Sequence, residues 1–392
     1  MTLHGLLAQF FRPIPKVYFS KLEAPTTVAE SLSIEEVRTL NGFEGLKAAW
    51  NDLVRRGGSS PLSSNFAFAL YWWKWRNYGN QLFILVARDG GRIEGIAPLM
   101  VSEVRRGPIT ARKVSFMFPR YLESDFIVEP DLRRECIRQM IEYAIESTGC
   151  RYLEFCGIPE ESDSLPIIEE LATETGMRVS RTVHAVGCYL PLEGTWDSFL
   201  KEKSVSFRKD LRYYERQLQR KGNLETFRFR RTEDPSGLMK KLVTVDAGSW
   251  KAERSALAEN RRLVESLLEA CNEDGSLDVF LTELDSLPVA YLFIIHWGGK
   301  ATAMFTSYSL EHEASSPGMV CFSHAIRQLF RDREVSEVDF ISSYPYLRRW
   351  TDHLRSRYIV TLYPGRLSGR AIKLTRDALH RGRSAFAGGR PN

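Results

Sequence analysis

The sequence has no apolar run long enough for a membrane-spanning helix, which needs roughly 20 consecutive apolar residues. Its strongest run, Val289 to Trp297, is closed by Gly298 and Gly299 and has the length of a strand. A secretory leader is not expected either, because the apolar patch from Leu6 to Phe11 has no basic stretch ahead of it and no small-residue cleavage site behind it. Paired metal spacing is absent too. The six cysteines (Cys136, Cys150, Cys156, Cys188, Cys271 and Cys321) are scattered through apolar neighbourhoods, and His184, His312, His324 and His353 form no ligand pair. These absences argue against a helical membrane protein, a disulfide scaffold and a zinc protein, and predict reduced thiols in a cytoplasmic chain without metal.

What is present is an ordinary globular composition, 43% hydrophobic and 26% charged over 392 residues. That length exceeds what one core usually serves and predicts two domains. The net charge of +5 is unevenly placed. Basic residues crowd the stretch 201–231 and the last residues from Arg366 onward, which suits an anionic partner such as CoA phosphates, a nucleotide-linked substrate, RNA or a membrane face.

Two stretches repeat one pattern. Strands at 81–87 and 93–101 flank the turn Arg88-Asp-Gly-Gly-Arg92; strands near 114–118 and 125–128, a helix over 131–147 and a strand at 151–155 follow. In the second stretch, strands at 277–284 and 289–296 flank Asp285 to Pro288. A strand at 301–309, a helix over 318–331 and a strand at 337–341 complete it. Between the two, one amphipathic helix is expected from Trp196 to Gly222, with Leu200, Phe207, Leu211, Tyr214 and Leu218 on its apolar stripe. A second helical region is expected over 235–271. The expected domain limits are a loose segment 1–30, an N-terminal domain 31–190, a C-terminal domain 191–365 and a basic tail 366–392.

A meander of three antiparallel strands followed by a helix start can hold a diphosphate, because the first N–H groups of a helix lack partners and its dipole favours anions. The candidate start is Ser315-Ser316-Pro317-Gly318-Met319-Val320. On its own this is an ordinary helix cap, and its place after the meander is what gives it functional weight. The first half's counterpart, Glu129-Pro130-Asp131, is acidic and lacks glycine, so the diphosphate is expected only in the second half.

Four motifs carry a resemblance to a known family: Trp196 with Leu200, Ser206, Arg208, Leu211, Arg212, Arg216, Leu218 and Gly222; Ser249-Trp250; Leu287-Pro288-Val289-Ala290; and Ser316-Pro317-Gly318 followed by Asp339-Phe340. In these the chain, from about Phe43 to Tyr363, resembles the CelD type (BioF2-like) acetyltransferase family, a branch of the GNAT superfamily related to the FemX-like tandem transferases. The resemblance implies an α/β fold of two tandem GNAT-like domains, each a mixed, mostly antiparallel sheet flanked by helices. It also implies N- or O-acyl transfer from acetyl-CoA or another acyl-CoA to a small-molecule or glycan-linked amine or hydroxyl, often in envelope polysaccharide biosynthesis.

The chain departs from that family at one point. Where a Tyr-Lys pair is usual, Tyr346 is followed by Leu347, with Arg348 next to replace the charge.

The expected site is therefore Asp339 and Tyr346 as proton-handling groups and Ser316, Gly318, Met319 and Val320 around the acyl-CoA. Arg208, Trp250 and Tyr308 are expected to contact substrate. Glu283 and His296, near strand ends, are weaker candidates. Arg208, Arg212, Arg216 and Arg220 form one ridge four residues apart, either a solvated face paired with Asp210 and Glu215 or an anion-binding surface. DNA and metal are not expected and RNA is disfavoured; peripheral membrane contact stays open. The alternatives are a FemX-like aminoacyl-tRNA-dependent transferase and a non-catalytic GNAT-fold binding protein.

Overall fold

In the strands Leu277–Leu284 and Leu287–Trp297 every second residue faces the same way, and both faces are apolar, so these strands must be covered on both sides. Leu277, Val279, Leu281, Tyr291, Phe293 and Ile295 point to one core, while Phe280, Ala290, Leu292 and Ile294 point to the other. The computed structural model that shows this describes residues 32–365, except 59–60, 107–108 and, within 251–274, all but Ala252, Val264, Glu265, Leu267 and Leu268. The expected segments 1–30 and 366–392, and much of the helical region after 250, lie outside the described residues.

The elements run β1 Ser33–Val37, α1 Leu40–Gly45, α2 Lys47–Gly57, α3 Phe66–Arg76, β2 Gln81–Asp89, β3 Arg92–Arg106, β4 Ile109–Phe116, β5 Ile127–Val128, α4 Arg133–Thr148, β6 Tyr152–Pro159, α5 Ser164–Glu174 and β7 Arg178–Pro191. They continue with α6 Trp196–Glu202, α7 Val205–Gln219, β8 Leu224–Phe229, α8 Pro235–Ala247, β9 Leu277–Leu284, β10 Leu287–Trp297 and β11 Lys300–Tyr308. The last are α9 Pro317–Asp332, β12 Glu337–Asp339, α10 Pro345–Arg348 and β13 Leu354–Tyr363. Two-residue turns close the meanders. Gly90 and Gly91 (φ 53° and 92°) join β2 to β3, and Asp285 and Ser286 (φ 48° and 65°) join β9 to β10, as hairpin twist requires.

The two expected sheets are fused into one. The strand order is β1-β2-β3-β4-β6-β13-β7-β12-β11-β10-β9-β8, with β5 paired to β3. This order is a palindrome about the antiparallel β13–β7 pair. On each side a meander is followed by one parallel pairing, 113–115 with 152–154 in β4 and β6, and 300–302 with 337–339 in β11 and β12. The last strand of each repeat has crossed over: β13 lies against β6, and β7 against β12.

The helix expected over Trp196 to Gly222 is two helices. Lys203 leaves the helix with ψ 153°, and the Ser204 hydroxyl accepts the Phe207 N–H to start α7 afresh. The apolar stripe remains in phase across the break, which is why periodicity alone did not show it. The strand expected at 125–128 shrinks to Ile127–Val128, and α4 begins after a 3-10 turn, Pro130–Leu132.

Trp350 is fully buried against Phe199, Phe207 and Phe322, with ring centroids at 6.3, 5.1 and 5.2 Å. It ties the segment after α10 to α6, α7 and α9. An aromatic in such a position is worth about 3–5 kcal/mol against alanine.

Candidate functional site

The site begins where β11 and β12 part. They pair only from Lys300–Glu337 to Thr302–Asp339, after which β11 continues for six residues and β12 stops. What stops β12 is local. The Asp339 carboxylate accepts the Ile341 N–H at 2.7 Å, and Ile341 takes φ 63°, a left-handed conformation unfavourable for a β-branched residue unless its surroundings impose it. The Cys188 main chain grips the turn from the other side, accepting from Phe340 and donating to Ser342. A wedge therefore opens between β11 and the segment 340–346. Met304 is an extra residue in β11, since Ala303 opposes Ile294 and Phe305 opposes Phe293; such bulges re-aim side chains beside active sites.

At the open end, Tyr308 lies over Gly318. A β-carbon at Gly318 would sit 3.2 Å from the Tyr308 ring, so glycine is what permits this approach. The helix start itself is tighter than the sequence suggested. Ser316 adopts φ 44°, ψ 58°, and its carbonyl accepts both the Met319 and the Val320 N–H. Val320 is buried, so it and Met319 have no main-chain donor left for a diphosphate, while the Gly318 N–H meets no acceptor among the described residues.

Tyr346 stacks on Tyr344 (6.2 Å, 10° between rings), and both are exposed. Desolvation on the packed side of the ring, then Tyr344 and Tyr308, push the Tyr346 phenol above the ordinary tyrosine range. Trp250 is exposed, and the Leu310 N–H donating to the Gly248 carbonyl at 2.9 Å holds the 248–250 segment against the end of β11. Tyr308, Gly318, Tyr346 and Trp250 are thus brought to one end of the wedge. Arg208, half-buried, sits on α7, which packs on α9 and on the 3-10 segment Leu310–Ser315.

Asp339 is elsewhere. Its register with Thr302 puts it at the closed end, six residues or roughly 20 Å along β11 from Tyr308. Both carboxylate oxygens are engaged, one by Ile341 and one by the buried Arg357 guanidinium. Arg357 also donates to the Ile341 carbonyl (2.8 Å) and to Glu123 (3.3 Å). Around this core lie Lys300, Arg355, Glu337 and Glu161.

Sequence reasoning missed Glu123, Arg355 and Arg357. The available signal was the alternation Arg355-Ser356-Arg357, which sets two cations on the same face of a strand that is otherwise apolar toward its end. Glu283 and His296, by contrast, are absorbed locally, Glu283 in an ion pair with Lys241 and His296 in a hydrogen bond with the fully buried Asp278.

Burial, then the neighbouring Asp339, raises the Glu123 carboxyl above the usual range. The folded chain therefore binds this proton more tightly than the unfolded chain, whose glutamate titrates near about 4.3. Stability is greatest below that value and is lost as pH rises through the folded pKa. A Glu123→Gln variant lacks this loss, so its unfolding midpoint should gain on the parent as pH rises above about 4, the range in which the unfolded glutamate has lost its proton. Parallel midpoint curves would refute the assignment.

The first repeat has no such wedge, since β4 ends one residue after its last pairing with β6. Residues 117–126 fold back into the corresponding place, and Phe116, Phe126 and Phe155 close on one another at 5.1–5.2 Å. The Ser124 N–H donates to the Gly157 carbonyl, and any β-carbon at Gly157 would strike the Leu122 carbonyl at 2.1 Å. The counterpart helix start is also occupied: Glu129 is held by Arg56.

The site thus combines a splayed parallel pair, a bulged strand and a helix start at the mouth. Residues 205–347 match the acetyltransferase (GNAT) domain model. An acyltransferase domain is therefore part of this chain. The match covers the wedge, Gly318, Asp339 and Tyr346. No curated protein matches the sequence.

Among solved structures, FemX aligns with TM-score 0.57 at 12% identity, over 83% of this chain and 96% of that one. The C-terminal domain of a putative lysylphosphatidylglycerol synthetase from Agrobacterium fabrum aligns at 0.52 and 13%, over 84% and 96%. L-PGS from Bacillus licheniformis aligns at 0.51 and 12%, over 85% and 96%. At these identities the likeness is one of fold, and it extends well beyond the acetyltransferase (GNAT) domain match. No described helix is long and apolar enough to cross a membrane, and no group of three or more candidate metal ligands occurs among the described residues.

Proposed function

We propose that this chain transfers an acyl group, acetyl in the simplest case, from acyl-CoA to an amine or hydroxyl of a small molecule or glycan precursor in the cytoplasm. In this reading it is a CelD type enzyme with GNAT-like halves at 31–190 and 191–365. The observation that carries the reading is the asymmetry of the two repeats: the second holds an open, bulged wedge with a glycine at its mouth, and the corresponding place in the first is filled by its own chain.

Acyl-CoA supplies the activated thioester, and the chain's residues would hold and protonate it. The free Gly318 N–H and the dipole of α9 would receive the diphosphate, with the Ser316 hydroxyl as a further donor. Met319 and Val320 line the site through packing and not as donors. Glu311 and Glu313 in the preceding turn subtract from the cationic field, which makes Arg208 on α7 the natural compensating charge. Trp250 and Tyr308 would wall the acceptor. Tyr346, protonated, would donate to the thiolate as the acyl–sulfur bond breaks, and its phenolate would regain the proton that the acceptor nitrogen or oxygen sheds on acylation. Asp339, with both oxygens engaged, is assigned the orienting role: it fixes the turn that carries Tyr344 and Tyr346.

Acetyl-CoA at about 100 times its dissociation constant should stabilise the full chain by about 2.7 kcal/mol in thermal unfolding. Gly318→Asp should weaken that binding at least tenfold, because it displaces the Tyr308 ring and sets a carboxylate against the diphosphate, and the unfolding midpoint of the ligand-free variant checks that α9 is retained. Unchanged affinity in the variant would remove Gly318 from the site.

A further inference from the structure

The outer face of α7 is basic, apolar at its tips and free of carboxylates. Val205, Lys209, Arg212, Tyr213, Arg216 and Arg220 are all exposed and fall on one side of the helix, opposite the buried Phe207, Leu211 and Leu218. The two acids expected to neutralise the ridge are committed elsewhere. Asp210 takes Arg349 at 2.5 Å, and Glu215 takes His324 at 3.1 Å. Arg212 and Arg220 make no ion pair with any described residue, and Arg216 donates only to the Arg212 carbonyl, at 3.1 Å.

A second observation lies at the far end of the helix. The β9–β10 hairpin abuts it, with the Asp285 carboxylate accepting the Asn223 N–H at 2.7 Å, and presents Leu287 at 67% exposure. Val205 (56%) and Tyr213 (51%) are exposed at the start and middle of the same face. Uncompensated cations explain attraction to any polyanion. Exposed valine and leucine set among them have nothing to offer a phosphodiester chain, but they lower their free energy by entering the acyl boundary of a bilayer, where tyrosine also settles.

We propose that this face docks the protein on an anionic lipid surface, with Lys209, Arg212, Arg216 and Arg220 against the headgroups and Val205, Tyr213 and Leu287 dipping beneath them. The apolar side of α7 stays in the protein core, so the contact is peripheral and reversible. It does not depend on the acyl-transfer reading, because none of these residues belongs to the wedge.

The test is sedimentation of the full chain with vesicles of phosphatidylcholine alone or with 30% phosphatidylglycerol. Binding should require the anionic lipid and weaken with salt. A basic residue near such a surface contributes about fivefold in partitioning, so Arg212→Glu, Arg216→Glu and Arg220→Glu together should lower it roughly a hundredfold or more. Tyr213→Ala with Leu287→Ser should lower it several-fold and leave the salt dependence unchanged. Thermal unfolding of each variant confirms the fold. Equal binding to neutral vesicles, indifference to the charge reversal, or tighter binding to a mixed-sequence RNA than to anionic vesicles would overturn the proposal.

Discussion

An Arg357→Met variant should lose about 3–5 kcal/mol of stability, the scale for stripping the partner from buried charges. The side chain is 1% exposed, so water does not screen the loss. It serves three elements at once: the Asp339 carboxylate in β12, the Ile341 carbonyl in the turn and Glu123 from the first repeat. Its own strand, β13, is the one that has crossed over to the first repeat, so the cluster pins the join between the two halves of the sheet. At a few degrees per kcal/mol for a chain of this size, the unfolding midpoint should fall on the order of 10 °C. Adding Glu123→Gln and Asp339→Asn should restore part of it, because two neutral amides replace two stranded carboxylates. A loss under about 1 kcal/mol, or no recovery in the triple variant, would mean that the cluster is solvated and incidental.

Tyr346→Phe should lower turnover roughly 10²-fold, the usual effect of losing a positioned proton donor, with acyl-CoA affinity changed little. The assay is thiol release from acetyl-CoA with a panel of amino sugars and simple amines. Because the phenol is raised above its ordinary value near about 10, it remains protonated, and the alkaline limb attributable to it should lie above that pH in the parent enzyme. Near-parental turnover in the phenylalanine variant would exclude the role. So would an unaltered alkaline limb if another group were then shown to set it.

Much of the fold was legible in the sequence because the signals were local. Alternating apolar residues and two-residue turns marked both meanders, and the repeat of strand, turn, strand, helix and strand gave the duplication. The exchange of β7 and β13 was not legible. A strand's neighbours in a sheet are decided by contacts far apart in the chain, and Arg178 to Pro191 reads the same whichever strand it meets. The break between α6 and α7 hid for the opposite reason, since Lys203 and Ser204 interrupt hydrogen bonding without interrupting the apolar phase.

In the proposed site, Gly318, Tyr308, Tyr346 and Trp250 were singled out by motif and position, and they lie toward one end of the wedge. Asp339 was found as a residue but not as an environment. That its oxygens go to Ile341 and Arg357 depends on an arginine 18 positions later whose partner Glu123 lies in the other repeat. The α7 ridge was visible as spacing. Which acids faced it was not, because Arg349 and His324 reach Asp210 and Glu215 from distant segments.

The most direct measurement of the central claim, a single open wedge that takes acyl-CoA, is a crystal structure of the full chain grown with acetyl-CoA. One molecule per chain is expected, with its diphosphate at the Gly318 N–H and its arm between β11 and residues 340–346, directed toward the Met304 bulge. Density at the start of α4 beside Asp131, or acyl-CoA lying outside the wedge altogether, would contradict it.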